Sequence, residues 1–123
     1  MMLLFYLLLM IIAYLISEVI DLWNTTVGSA FLYFGTDEEI QTVLPRIKET
    51  LEYYLKGFGD DGACVEGINY WAYGFGYFTY FAQLLYQYSD GKDNLFDNKK
   101  VENIAVFPQK LWFKNNNTVT FSD

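Results

Sequence analysis

Between Asp60 and Gly74 the chain reads DDGACVEGINYWAYG, which gathers most of its chemistry-bearing groups into one short span. A tight-turn sequence, Asp60-Asp61-Gly62, leads to a carboxylate at Glu66 and then to the rings of Tyr70, Trp71 and Tyr73. Aromatic rings with a polar edge grip flat polar ligands such as sugars. The phenols and the carboxylate are the groups that could move a proton on such a ligand. The chain has no histidine, which removes the commonest general base and every Ser-His or Cys-His pair. Its single cysteine, Cys64, allows neither an internal disulfide nor a cysteine-based metal site. Proton chemistry therefore falls to Tyr, Asp, Glu or Lys. No metal and no cofactor is expected, since scattered carboxylates define no ligand set.

Each of these residues also has a structural reading. Tyr70, Tyr73, Tyr77, Tyr80, Phe81, Leu84 and Leu85 recur at helical spacing and could simply pack a core. Glu66 would suit the first turn of a helix, where the dipole favours a negative charge. Asn24 would suit a helix start as a cap.

Composition narrows the classes. Hydrophobic residues make up 53% and aromatics 20% of 123 residues, so the chain must bury surface, and disorder is excluded. One small domain is the natural size. The formal charge of −7 argues against nucleic acid, which needs a basic patch. The lysines of the last third, Lys92, Lys99, Lys100, Lys110 and Lys114, read as solvated charges or as a modest positive rim.

The elements that must hold the site read as helices joined by short turns. Met1 to Ile16 is unbroken apolar sequence with no basic residue ahead of it, and none occurs before Arg46. It is short for a membrane span, which takes about 20 residues. An uncleaved signal anchor, an atypical signal peptide and a buried helix (residues 1–20) all fit it. Residues 1–17 are thus a candidate membrane contact. A second helix is expected over about Thr25 to Phe34, with Gly28, Ser29 and Ala30 allowing close packing. Thr36 and Glu39 form a capping box ahead of an amphipathic helix carrying Ile40, Val43, Leu44, Ile47 and Leu51. Pro45 should kink or break that helix, and Gly57 and Gly59 should close it. A helix over about Ile68 to Tyr88 follows, then a helical turn or more at Val101 to Val106. Asn115 to Asp123 reads as a turn opening into a strand without an evident partner. Two helix pairs of similar length point to an all-α piece of an α/α repeat array, whose exposed ends would favour self-association.

The segment Asp61-Gly62…Glu66-Gly67-x-x-Tyr70-Trp71-x-Tyr73-Gly74 resembles the heparinase II/III-like polysaccharide lyases. Trp23-Asn24-x-x-Val27-Gly28 upstream, Leu44-Pro45 between and Thr120-Phe121-Ser122-Asp123 downstream resemble further family segments, in the family's order. The resemblance covers roughly Leu22 to Asp123. It implies an incomplete α/α toroid built from antiparallel helix hairpins over residues 21–123, with the start of a β domain at 118–123. It also implies β-elimination on uronate-containing acidic polysaccharides, by a protein that is secreted or periplasmic, or membrane-anchored. Tyr70 would be the catalytic tyrosine, with Tyr73 the runner-up. Asn24 would donate to the substrate carboxyl, and Glu66 would orient or share a proton. Trp23, Trp71, Tyr73 and Tyr77 would contact the sugar. The chain departs from the family in lacking histidine, and it would be a fragment of such a lyase, inactive in isolation. A non-catalytic carbohydrate-binding remnant and a small membrane-anchored helical protein are the alternatives.

Overall fold

The computed structural model describes residues 2–5, 7–8, 20–64, 67–113 and 117–118, with the backbone alone at 20–24, 70, 113, 117 and 118. The fold is all-α: among the described residues, 2–5 and 7–8 are helical, followed by α1 (Ile20–Phe34), α2 (Asp37–Lys56), α3 (Ile68–Tyr88) and α4 (Lys99–Lys110). A 3-10 turn at Leu95–Asp97 precedes α4. Trp112–Phe113 then pairs antiparallel with Asn117–Thr118, so the described part of the expected terminal strand has a partner, while residues 119–123 of that strand and of the expected β-domain start lie outside the described residues. That partner lies only a few residues upstream, and a two-residue ladder leaves no period to read in the sequence.

Local sequence sets the boundaries. Thr36 accepts from the Glu39 N–H while the Glu39 carboxylate accepts from the Thr36 N–H, which caps α2 at both groups. Gly57 closes its other end, returning its N–H to Leu55 and Tyr54. Asn98 caps α4 through the Lys100 N–H. Asn24 lies inside α1, with Ile20 to Trp23 already helical before it, so it is no cap. Pro45 does not break α2 either. The helix runs on through it to Lys56 because Ile47, Thr50 and Leu51 beyond the proline are buried and hold the last turns down.

The direction of the helices follows from their side-chain neighbours. A Cβ on Gly28 of α1 would come within 3.0 Å of Ile47 and 2.8 Å of Phe81, so the missing side chain lets α1 sit against both α2 and α3. Gln41 and Tyr88 are bonded at one end of α2 and α3, and Tyr54 stacks on Phe78 toward the other. Hence α2 and α3 are antiparallel. With only Gly35 and Thr36 between them, α1 turns back into α2, and α1 therefore runs parallel to α3.

The core is phenylalanine and aliphatic. Phe31, Ile47, Phe78, Phe81, Leu85 and Ile104 are fully enclosed, with Val43, Leu51, Phe75 and Val101 around them. This corrects the expected core stripe on α3. The buried face of that helix carries Phe75, Phe78, Phe81, Ala82 and Leu85, while Tyr73, Tyr77 and Tyr80 point outward. Hydroxyls decide it. A buried phenol needs a hydrogen-bond partner and a phenyl ring does not, so when both faces are aromatic the phenylalanines go in.

Among the described residues no helix is long and apolar enough to cross a membrane. The expected N-terminal apolar helix lies mostly outside those residues. Within them, Met2 and Leu3 pack against the core, and Leu4, Phe5, Leu7 and Leu8 are exposed.

Candidate functional site

The Asp60–Gly74 segment folds as a turn laid against α4 and then as the first turns of α3. Gly62 has φ +87° and lies so close to α4 that a Cβ would stand 2.2 Å from the Asn103 carbonyl oxygen. Gly67, at the entrance to α3, has φ +91°. Two of the segment's three glycines, Gly62 and Gly67, thus hold backbone conformations that side chains avoid. Asp61 accepts from the Ala63 N–H at 3.0 Å, an Asx turn that shapes the loop. Two side chains of α4 bind the loop's carbonyls: Asn103 Nδ2 donates to Asp60 O and Lys110 Nζ to Asp61 O, at 2.8 and 2.9 Å. Lys110 and Asn103 had no sequence signal, because their partners are backbone atoms some forty residues away.

Trp71 joins the same arrangement. Its ring is half-buried and tilted against Phe75, and its indole N–H donates to the Ile104 carbonyl at 2.9 Å. That carbonyl is available for a definite reason. Pro108 stands four residues on and has no N–H to return to it. The indole thus takes the place of the missing helical donor. Trp71 is in this way turned toward α4 and the core, away from the open face where Tyr73 and Tyr77 lie.

The open face of α3 is a tyrosine ridge. Tyr73 and Tyr77 meet edge to face with centroids 5.4 Å apart, and Tyr80 continues the row. Their exposures are 58%, 38% and 61%. Gly76 sits among them with nothing within 4 Å of a Cβ position, so the rings border a bare stretch of helix. Together with Ala72 they line a shallow depression of about 500 Å³. The backbone of Tyr70 lies in α3 three residues before Tyr73. The side chains of Tyr70, Trp23 and Asn24 lie outside the described residues, as does Glu66 altogether, so of the seven predicted site residues the structure brings together Tyr73 and Tyr77. Tyr80 extends the pair, and its signal was the same spacing that was available to a core reading.

A second concavity lies at the other end of the α2–α3 pair. The start of α2 and the end of α3 enclose a groove of about 690 Å³ with Leu44, Pro45 and Leu85 among its lining residues. Tyr88 Oη donates to Asp37 Oδ1 and accepts from Gln41 Nε2, both at 3.3 Å. Lys48 and Asp93 form an ion pair in its wall. Among the described residues no group of three or more acidic or cysteine side chains gathers to hold a metal ion.

No known protein family, no curated protein and no solved structure matches this chain.

Proposed function

We propose that this chain is a carbohydrate-handling part of a heparinase II/III-like polysaccharide lyase, and that the ridge Tyr73-Tyr77-Tyr80 is where the sugar chain lies. The observation that carries this reading is the outward tyrosine row bordering a bare helix surface at Gly76. Exposed rings in a row offer successive apolar faces to successive sugar rings, and their hydroxyls bond at the rim. Two further features support it. The glycines of the resembling segment, Gly62 and Gly67, stand where backbone geometry calls for glycine. The antiparallel order of α2 and α3, with α1 packed beside both, supports reading the chain as part of an α/α toroid.

In the proposed reaction Tyr70, one turn before the ridge, removes the proton beside the uronate carboxyl group. Asn24 donates to that carboxyl group, Glu66 orients or shares a proton, and the C4–O bond breaks as the C4=C5 double bond forms, the glycosidic oxygen leaving with the proton that Tyr70 took up. A phenol of ordinary pKa, ~10, is a weak base at neutral pH, so a cation must neighbour it in the working site. A second reading, binding without turnover, is favoured by the absence of histidine from the chain.

Affinity electrophoresis against heparan sulfate, alginate and a neutral glucan tests the ridge. Tyr73→Ala with Tyr77→Ala should weaken retention by on the order of tenfold, two ring contacts of about 0.5–1.5 kcal/mol each. Retention unchanged by the double variant would remove the ridge from consideration. The chain by itself should release no 4,5-unsaturated uronate. Ultraviolet detection of that product from the chain would make it a catalyst, and Tyr70→Phe should then abolish turnover while leaving retention intact.

A further inference from the structure

We infer that the tyrosine ridge takes uncharged sugar residues in succession, so that the polysaccharide it fits is one whose uronates are separated by neutral sugars. The inference rests on the proposed reading of the ridge as a sugar site and narrows what lies there.

The absence of charge along α3 carries it. From Ile68 to Tyr88 the helix holds no Asp, Glu, Lys or Arg, whereas α2 and α4 carry both signs. A helix enclosed on every side would need none, but Tyr73 and Tyr80 are more than half exposed. The open face of a surface helix ordinarily carries charged residues. Here the depression is lined by Ala72, Tyr73, Gly76, Tyr77 and Tyr80, with no carboxylate, ammonium or guanidinium among them. Lysines on the other helices are engaged with other groups. Lys48 is held by Asp93, Lys100 by Asp60 and Lys110 by the Asp61 carbonyl, and Lys56 stands over the Tyr53 ring.

That surface suits a neutral pyranose better than a uronate. Ring faces carry the negative end of the aromatic quadrupole, which attracts polarised C–H groups and repels a carboxylate. A carboxylate drawn out of water needs charge-assisted donors, and the ridge has only phenol hydroxyls to give. The formal charge of −7 adds a general repulsion of anions. Tyr73 and Tyr77 stand at 72° to one another, so one ring can lie under the sugar while the other meets its rim. From Tyr73 to Tyr80 the helix rises about 10 Å, the length of a disaccharide. A uronate at Tyr70 would thus be followed along the ridge by a pair of neutral residues. Polyuronates and strictly alternating uronate chains do not meet that requirement.

The test is calorimetric titration of the whole chain at low and at high salt. The probes are cellohexaose, gellan oligosaccharides (single uronates separated by neutral sugars) and alginate oligosaccharides (uronate throughout). Cellohexaose and the gellan oligosaccharides should bind with affinities that change less than about twofold with salt, and alginate at least about tenfold more weakly. Gly76→Leu covers the bare strip without a clash, since nothing lies within 4 Å of its Cβ position. Neutral binding should then weaken several-fold while Tm rises, a pairing that lost folding would not produce. Alginate bound as tightly as cellohexaose, released by salt and weakened by Tyr73→Ala, would overturn the inference and leave the ridge a sugar site. No binding of any probe would overturn the ridge reading and this inference together. Neutral binding undiminished by both Gly76→Leu and Tyr73→Ala would put the sugar elsewhere and overturn it as well.

Discussion

The two ends of the α2–α3 pair solve the same structural problem in opposite ways. At the Trp71 end a proline in α4 orphans a carbonyl, and the chain supplies its own replacement donor. Around that contact Asn103 and Lys110 take up two loop carbonyls, and Gly62 lets the loop close on the α4 backbone. At the Tyr88 end a proline in α2 orphans a carbonyl beside a concavity, and the neighbouring polar contacts stay long. A half-buried carbonyl left without a donor costs about 1–3 kcal/mol, whereas Gln41 is an exposed residue whose carbonyl can turn to water. The closed end is where the fold is locked. The open end leaves its polar groups, Asp37 and Gln41, to solvent and to Tyr88.

The sharpest way to break the closed end is Gly62→Ala. A Cβ there would meet the Asn103 carbonyl at 2.2 Å on a backbone of φ +87°. Destabilisation of about 3 kcal/mol or more is expected from strain and forced separation of the loop from α4. A denaturation midpoint lowered by the equivalent of less than about 1 kcal/mol would show that the contact is slack.

Next in size is Trp71→Phe, which leaves Ile104 O without its indole donor and should cost about 1–3 kcal/mol. Adding Pro108→Ala restores an N–H to that carbonyl. In the Pro108→Ala background the tryptophan substitution should therefore cost at least about 1 kcal/mol less, a coupling that a double-mutant cycle measures. Simple additivity would mean that the indole bond is incidental to Pro108.

At the open end Pro45→Ala has the reverse sign. It should stabilise the chain by about 1–2 kcal/mol, less than the about 3 kcal/mol that an interior proline costs a regular helix, because the surroundings have adapted to it. Thermal unfolding at or below the wild-type midpoint would mean that packing around Pro45 depends on the irregular turn. The smallest effect is expected from Lys48→Ala. Its pairing with Asp93 is partly exposed, at 37% and 28% of side-chain surface, so the loss should be about 0.5–1 kcal/mol and should shrink in high salt. A cost insensitive to salt would assign Lys48 a packing role through its methylenes instead.

How much of this the residues announced differs from place to place. Thr36 and Glu39 stand three apart and marked the start of α2 correctly, since a capping box is completed within one turn. The extent of α3 was legible as well, bounded by Gly67 and Ser89. The face of α3 was not. Apolar and aromatic residues surround that helix on every side, so a helical spacing could be drawn through Tyr70, Tyr73 and Tyr77 as readily as through Trp71, Phe75 and Phe78. Of the residues proposed for the site, motif and spacing singled out Tyr73 and Tyr77, which the fold leaves exposed side by side. Trp71 was singled out as a sugar contact, but its ring is turned to α4, because the carbonyl it serves is freed by a proline thirty-seven residues away.

By itself the sequence determined the helical class, the ends of α2 and α3 and the need for glycine in the Asp60–Gly74 turn. Each is a matter of neighbours within a few residues, where caps, turn geometry and periodicity act. Tertiary structure decided which aromatics are core and which are surface, which orphaned carbonyl is filled and which is left to solvent, and that the last strand finds a partner. Those outcomes depend on groups distant in sequence competing for the same buried volume and the same hydrogen bonds, and only packing resolves that competition.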